Sequence, residues 1–324
     1  VKATAKANTN IALIKYWGKR DEQLFLPMNS SLSVTLDRFY TITTVEFSGS
    51  FDKDTFFLDN VIASDKELEK VSKFLDKVRI AAGVTYRALV SSENKVPTAA
   101  GFASSASGFA ALAAAAAKAL QMNLSGKELS VLARQGSGSA CRSIYGGFVE
   151  WHKGIEADGR DSYASQLLDE NSWNISILSV LVASEQKNVS SRDGMRQTVL
   201  TSPFYKGWLD TIEGDLSTLK DAIGDRDFDS LGKVMESNAL KMHGTMLGAE
   251  PPILYWQSGT MDVIHHIQLL RRSGIPVYFT IDAGPNVKVL CMPNHEQIVY
   301  ESLIKLPKVK KVFTCHPGKG ITYL

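Results

Sequence analysis

The sequence predicts an α+β fold in both halves of the chain. Three observations carry this. Apolar and polar residues alternate with period two at intervals through the first half, a block with helical spacing follows, and strand-like runs return near the end. Residues 2–7 alternate as a strand does, and so do 31–37 and 41–47. The polar stretch 51–65 reads as irregular. Leu68, Val71, Leu75 and Val78 then recur at helical spacing, and Gly83 stops that helix. Residues 84–91 form a strand, 97–104 a loop and 105–120 a helix. A second helix, 127–135, runs into the Gly136-Ser137-Gly138-Ser139 loop. Strands follow at 147–151 and 175–183. Helices are expected at 195–200, 204–223, 228–242 and 260–273, then strands at 277–282, 287–292 and 309–314, with a helix at 296–304. The expected division into two domains falls near residue 172, giving 1–172 and 173–324.

Composition narrows the function. The chain has 324 residues, 44% hydrophobic and 22% charged, as a globular protein with a substantial core does. A formal net charge of +2 gives no electrostatic case for a nucleic-acid partner or a membrane surface. The most apolar stretch, 109–120, is too short and too alanine-rich to span a bilayer, and the first residues lack the apolar core of a signal peptide. Cys141, Cys291 and Cys315 are far apart with no CxxC pair, as expected in a reducing cytoplasm. The histidines form no metal-binding pattern. His265 and His266 are adjacent on a helix, and His295-Glu296 lacks the second histidine of HExxH. His152, His243 and His316 read as structural or exposed, and Met235, Met242 and Met246 as core.

Chemistry concentrates where small residues lead into the alanine-rich helix. The first turn of a helix has N–H groups without intrahelical partners and a partial positive charge, so it binds anions when no bulky side chain intervenes. Gly101, Ala103, Ser104, Ser105, Ala106 and Ser107 meet that condition, with serine hydroxyls as further donors. A serine-capped buried helix with no ligand would have the same local pattern. No GxxxxGK[ST] loop occurs, and the Gly136 loop lacks both the third glycine and the preceding strand of a dinucleotide fingerprint.

The stretch from Pro97 to Ala106 resembles the PxxxGLxSSA nucleotide loop of the GHMP kinase superfamily, with Phe102-Ala103 where the kinase branch has Leu-Gly. Three further stretches in order narrow the resemblance: Ala7-Asn8-Thr9-Asn10-Ile11-Ala12-Leu13-Ile14-Lys15-Tyr16-Trp17-Gly18-Lys19, Gly136-Ser137-Gly138-Ser139-Ala140-Cys141-Arg142-Ser143 and Asp282-Ala283-Gly284-Pro285-Asn286. Together they are similar to the mevalonate diphosphate decarboxylase family, the decarboxylating branch of that superfamily, over essentially the whole chain.

The resemblance implies a GHMP-kinase-like two-domain fold with an active-site cleft between the domains. It also implies ATP and Mg²⁺, mevalonate 5-diphosphate as substrate, and a homodimer. ATP would phosphorylate the tertiary 3-hydroxyl, and loss of that phosphate and of CO₂ would give isopentenyl diphosphate. The matching residues place Tyr16 and Lys19 on the substrate diphosphate, beside Lys15 and Arg20 as further cations, with Ser191 and Arg192 as a second anion contact. Arg142, helped by Ser139, would grip the C1 carboxylate with its planar fork. Asp282 would face the 3-hydroxyl as base or orienting group. Asp282, Arg142 and Lys19 are thus the expected catalytic residues. Adenine is expected near Ser92, Asn94 and Lys95, and Ser105 and Ser107 would offer hydroxyls to Mg²⁺. Each has a plain alternative: a turn-forming aspartate, a structural arginine paired with a surface acid, surface lysines around a buried Trp17, a serine N-cap. Two other functions fit parts of the pattern. A mevalonate or phosphomevalonate kinase would stop at a phosphorylated product, and a small-molecule sensor would have kept the fold without catalysis. The simultaneous presence of Asp282, Arg142 and Lys19 argues against the sensor.

Overall fold

A computed structural model describes residues 1–96, 104–183 and 188–324. In chain order the elements are β1 (Lys2–Ile14), β2 (Lys19–Asp21), β3 (Leu26–Pro27), β4 (Ser31–Ser48), β5 (Thr55–Leu58), β6 (Val61–Ile62), α1 (Asp65–Ala82), β7 (Arg87–Asn94), α2 (Ser104–Ala119) and α3 (Gly126–Arg134). A 3₁₀ segment over Gly138–Ile144 leads to β8 (Phe148–Trp151), β9 (Ala164–Leu168) and β10 (Ser176–Leu181). Then come α4 (Ser191–Thr201), α5 (Tyr205–Asp225), α6 (Phe228–Leu247), α7 (Ser258–Arg272), β11 (Val277–Ile281), β12 (Val287–Cys291), α8 (Glu296–Leu303), β13 (Lys311–Cys315) and β14 (Thr322–Tyr323).

The larger sheet runs β14-β1-β4-β7-β5-β6, with β8 pairing β4 and β9 pairing β8. The smaller sheet runs β11-β12-β10-β13, all antiparallel. Helix α2 lies on β1 and β4. Seven of its alanines, 106, 110, 111 and 113 to 116, have no exposed surface. Methyl side chains let the helix axis approach the sheet closely at native packing density, which explains the alanine run. Gly83 closes α1 at φ 67, the left-handed conformation of a helix C-terminal glycine. Ser125 and Glu128 form a reciprocal capping box at the start of α3. One hydrophobic core joins the two halves: Ile11, Leu13 and Trp17 pack in the same cluster as Trp208, Met235, Met242 and Tyr278.

The structure corrects three expectations. Residues 31–37 and 41–47 are one strand, β4. Asp37 and Arg38 break the apolar alternation because they face solvent, while pairing to β1 continues on both sides through a register shift at Asn8/Asn10. The stretch 51–65 is not irregular: β5 pairs parallel to β7 and buries Phe56, and β6 closes the edge. The first strand runs to Ile14 rather than stopping at Ala7, so the Asn8 to Leu13 motif is buried strand.

Candidate active site

A cleft of about 840 Å³ opens between residues of the two halves. The end of β1 brings Asn10 and Lys15 to it, the 3₁₀ segment brings Arg142, and the turn after β11 brings Asp282. The first turns of α2 and α4 bring Ser104 and Ser105, and Ser191 and Arg192.

Asp282 lies between two lysines. Lys15 Nζ is 2.6 Å from Oδ1 and Lys288 Nζ is 3.4 Å from Oδ2. Both lysine side chains are 2% exposed, whereas the aspartate keeps 27% and faces the cleft. Burial pushes the Asp282 carboxyl pKa up, but the Lys15 and Lys288 ammoniums outweigh it and hold the group well below the usual carboxylate range. Burial lowers the Lys15 pKa, and Asp282 opposes that shift. The turn is locked from behind: Asn286 Oδ1 accepts the N–H groups of Val182 and Ala183, and Thr260 Oγ1 donates to the Pro285 carbonyl. Lys15 is held at its backbone, where its N–H donates to Asn238 Oδ1 at 2.9 Å and its carbonyl accepts from Asn29 at 2.7 Å. Asn238 in turn donates to Asp215, which also accepts from Lys241. Under the site, His243 faces the Ile281 carbonyl, and burial drives its pKa down to about 3, so its ring is neutral at ordinary pH.

Arg142 is 3% exposed. Its Nε and Nη2 donate to Asn10 Oδ1 at 3.2 and 3.1 Å, and Nη1 donates to Ser31 Oγ at 2.6 Å. Its ring-facing neighbour is Trp151, 5.9 Å from the guanidinium carbon. Neutral oxygens hold the fork, so the expected alternative of a surface acid partner does not describe it. A buried guanidinium with neutral ligands keeps its charge for an incoming anion.

The cation-rich end is built around a tight turn. Gly18, at φ 101, lets the chain double back after Trp17, and a Cβ there would run into the Tyr205 hydroxyl, which donates to the Trp17 carbonyl. Lys19 follows, and its amine donates to Glu22. Tyr16 packs edge-on to Trp151 at 4.7 Å. Its hydroxyl is buried without a hydrogen-bond partner among the described residues, and burial pushes its pKa far up, so it is a neutral donor. Arg192 is exposed and packs on Phe25. Ser190 caps α4 by accepting the Asp193 N–H, leaving Ser191 and Arg192 in its first turn beside the cleft.

The nucleotide residues divide. Asn94, Ser104 and Ser105 line the cleft, with Ser104 and Ser105 exposed. Gly101 and Ala103 lie outside the described residues. Ser92, Ala106 and Ser107 are buried away from the lining. Ser92 pairs with Thr43, and Ser107 sits between Thr41 Oγ1 at 2.8 Å and the Ser104 carbonyl at 3.2 Å. The Ser107 hydroxyl is therefore engaged in packing bonds and, unlike Ser105, does not line the cleft. Lys95 points to Glu93 instead of the cleft. Arg20 likewise turns away, donating to the Lys153 and Glu156 carbonyls. Tyr16, Lys19, Ser139, Arg142, Ser191, Arg192 and Asp282 all line the cleft.

Lys288, Asn10 and Ser31 went unread in the sequence. Lys288 stands in an apolar strand, where a lone lysine reads as solvent-facing, yet it is 1% exposed. Its cross-strand partner Thr280, two residues before Asp282, is the signal that could have found it.

Two family models match the chain. Residues 7–164 match the diphosphomevalonate decarboxylase-like N-terminal domain, and residues 177–319 the mevalonate 5-diphosphate decarboxylase C-terminal domain. The diphosphomevalonate decarboxylase of Saccharomyces cerevisiae is 38% identical over 325 residues, covering 94% of this chain and 81% of that protein. The solved mevalonate diphosphate decarboxylase from Enterococcus faecalis is 49% identical with a TM-score of 0.93, covering 100% of this chain and 99% of that one. A structure of MDDEF in complex with MVAPP, AMPPCP and magnesium is 49% identical with a TM-score of 0.94, again covering 100% and 99%.

Proposed function

The chain belongs to the diphosphomevalonate decarboxylase family, and from that premise we propose how its cleft performs ATP-dependent decarboxylation of mevalonate 5-diphosphate. The observation that carries the reading is the ionised Asp282 between Lys15 and Lys288, facing a cleft that also holds Arg142.

The substrate diphosphate binds Lys19, the Tyr16 hydroxyl, Ser191 and Arg192. Its C1 carboxylate meets the Arg142 fork, with Ser139 beside it. This sets the 3-hydroxyl against Asp282. A carboxylate held so far toward its ionised form is a weak base, so it orients the hydroxyl and takes the proton as the new O–P bond forms. Phosphoryl transfer with a loose transition state needs positioning and charge neutralisation more than a strong base. The γ-phosphoryl moves to O3 and ADP leaves. The C3–O bond then breaks with its electrons going to phosphate. The C1–C2 pair becomes the C2=C3 bond of isopentenyl diphosphate, and C1 leaves as CO₂. Arg142 fixes the carboxylate in the orientation that this release requires.

Among the described residues no group of three or more His, Cys, Asp or Glu could hold a metal by itself. That donor set fits Mg²⁺ carried mainly by nucleotide phosphates, with the exposed Ser105 hydroxyl as a protein oxygen. When bound, the ion neutralises phosphate charge. Ser104 and the first turn of α2 receive the triphosphate, and Asn94 lies toward the base.

The proposal extends to a division near residue 172, to a cytoplasmic location, supported by three free buried cysteines, and to a homodimer, which sedimentation would test. No helix among the described residues is long and apolar enough to cross a membrane. Incubation with carboxyl-labelled mevalonate 5-diphosphate and ATP separates the decarboxylase from the kinase reading. Released labelled CO₂ supports the former, and a stable phosphorylated product supports the latter.

A further inference from the structure

The β2–β3 hairpin delivers an acid to the same place as the cations. Lys19 Nζ donates to Glu22 Oε2 at 2.5 Å, and Glu22 is also, after burial, the largest influence on the Tyr16 phenol, which places its charge near that hydroxyl. The Lys19 side chain is 4% exposed and that of Glu22 56%, so the acid is the solvent-facing member of the pair.

The turn carrying Glu22 is braced by three hydrogen bonds. Asp21 Oδ1 accepts the N–H groups of Gln23 and Leu24 at 2.8 and 2.7 Å, and Lys77 Nζ donates to the Gln23 carbonyl at 3.2 Å. Phe25 next to it sits at φ 56, a conformation a bulky side chain adopts only when its surroundings hold it there. Its ring gathers Lys19, Arg192 and Lys77 at 4.9, 5.4 and 5.8 Å. A strained, cation-faced turn thus presents Glu22 to the lysine expected to take the substrate diphosphate.

We propose that Glu22 is a resident counter-ion that occupies Lys19 in the free protein and is exchanged for the substrate diphosphate on binding. The inference rests on the reading of Lys19 and Tyr16 as diphosphate ligands. Glu22 is an internal competitor: an anion binds only to the fraction of molecules in which Lys19 is released, and its apparent affinity falls by that fraction. A diphosphate, with several charged acceptors, displaces the carboxylate. A ligand whose corresponding end carries a single negative charge gains little over Glu22 itself. The residue thereby raises the charge a ligand needs to occupy this end of the cleft.

The test is isothermal titration of inorganic pyrophosphate, without Mg²⁺ and at low ionic strength, into wild type, Glu22→Gln and Lys19→Met. Glu22→Gln is expected to bind about 2–5-fold more tightly than wild type, the upper part of the range for a partly exposed pair, and Lys19→Met to bind much more weakly. In steady state the Glu22→Gln effect falls on KM for mevalonate 5-diphosphate rather than on kcat. Equal or weaker pyrophosphate binding by Glu22→Gln, with Lys19→Met still impaired, overturns the counter-ion role and leaves the diphosphate reading standing. Pyrophosphate binding by Lys19→Met at the wild-type level removes the diphosphate reading, and the counter-ion role with it.

Discussion

Lys15 and Asp282 meet at 2.6 Å although one sits at the end of β1 and the other after β11, 267 positions apart in the chain. The pair ties the two halves together at the floor of the cleft, and Lys288 supplies a second positive charge 3.4 Å from the other carboxylate oxygen. The aspartate is therefore an anion before any ligand arrives.

Removing Lys15 tests that balance. In Lys15→Met one ammonium is gone while burial, which favours the neutral acid, remains, so the Asp282 pKa rises. The acid limb of kcat/KM is predicted to move to higher pH than in wild type, measured across about pH 4 to 8. The same sign holds for stability. A carboxyl whose folded pKa lies below its unfolded value of about 3.9 contributes stability that is complete above that value and lost as pH falls through the folded pKa. The wild-type contribution survives to lower pH than that of Lys15→Met.

Arg142→Lys keeps a positive charge but loses the fork that Asn10 and Ser31 hold. Hydrogen bonds to charged groups contribute about 1.5–3 kcal/mol, so a rate loss of ~10–100-fold in CO₂ release is predicted, with an unchanged circular dichroism spectrum. A loss below about threefold would make Arg142 a structural residue.

Ser105 and Ser107 are two positions apart and are predicted to behave differently. Ser105→Leu puts bulk at the exposed mouth of α2 and is expected to weaken ATP binding at least about tenfold by calorimetry. Ser107→Ala removes a buried bond to Thr41. It is expected to lower the melting temperature by ~2 °C, the effect of about 1 kcal/mol in a chain of this size, and to leave ATP affinity intact.

What the sequence made legible were local signals with a physical stop or start: Gly83 ending α1, the small residues opening α2, and Asp282 closing an apolar strand. What it hid were decisions made by tertiary contacts. The sequence leaves a gap at 38–40 between two strand-like runs, but the backbone continues as one strand, with pairing to β1 on both sides of a register shift. Arg20 looks like a third cation beside Lys15 and Lys19, yet the hairpin turns it to the far side, onto the Lys153 and Glu156 carbonyls. Ser107 reads as one more phosphate donor, and only the neighbouring strand shows that Thr41 claims it. Lys288 is the counterpart: a buried charge is costly without a partner, and the partner lies six residues earlier, across a turn.

The central claim is that Asp282 directs phosphorylation of the substrate hydroxyl and so commits the molecule to decarboxylation. The most direct measurement is ADP and CO₂ released per minute from mevalonate 5-diphosphate and ATP by wild type and by Asp282→Asn, with binding of a non-hydrolysable ATP analogue as control. The account predicts one CO₂ per ADP in wild type. In Asp282→Asn it predicts a loss of both by ~10²–10⁴-fold, the usual contribution of a positioned acid–base group, with analogue binding retained. Near wild-type release of both products by Asp282→Asn would contradict it.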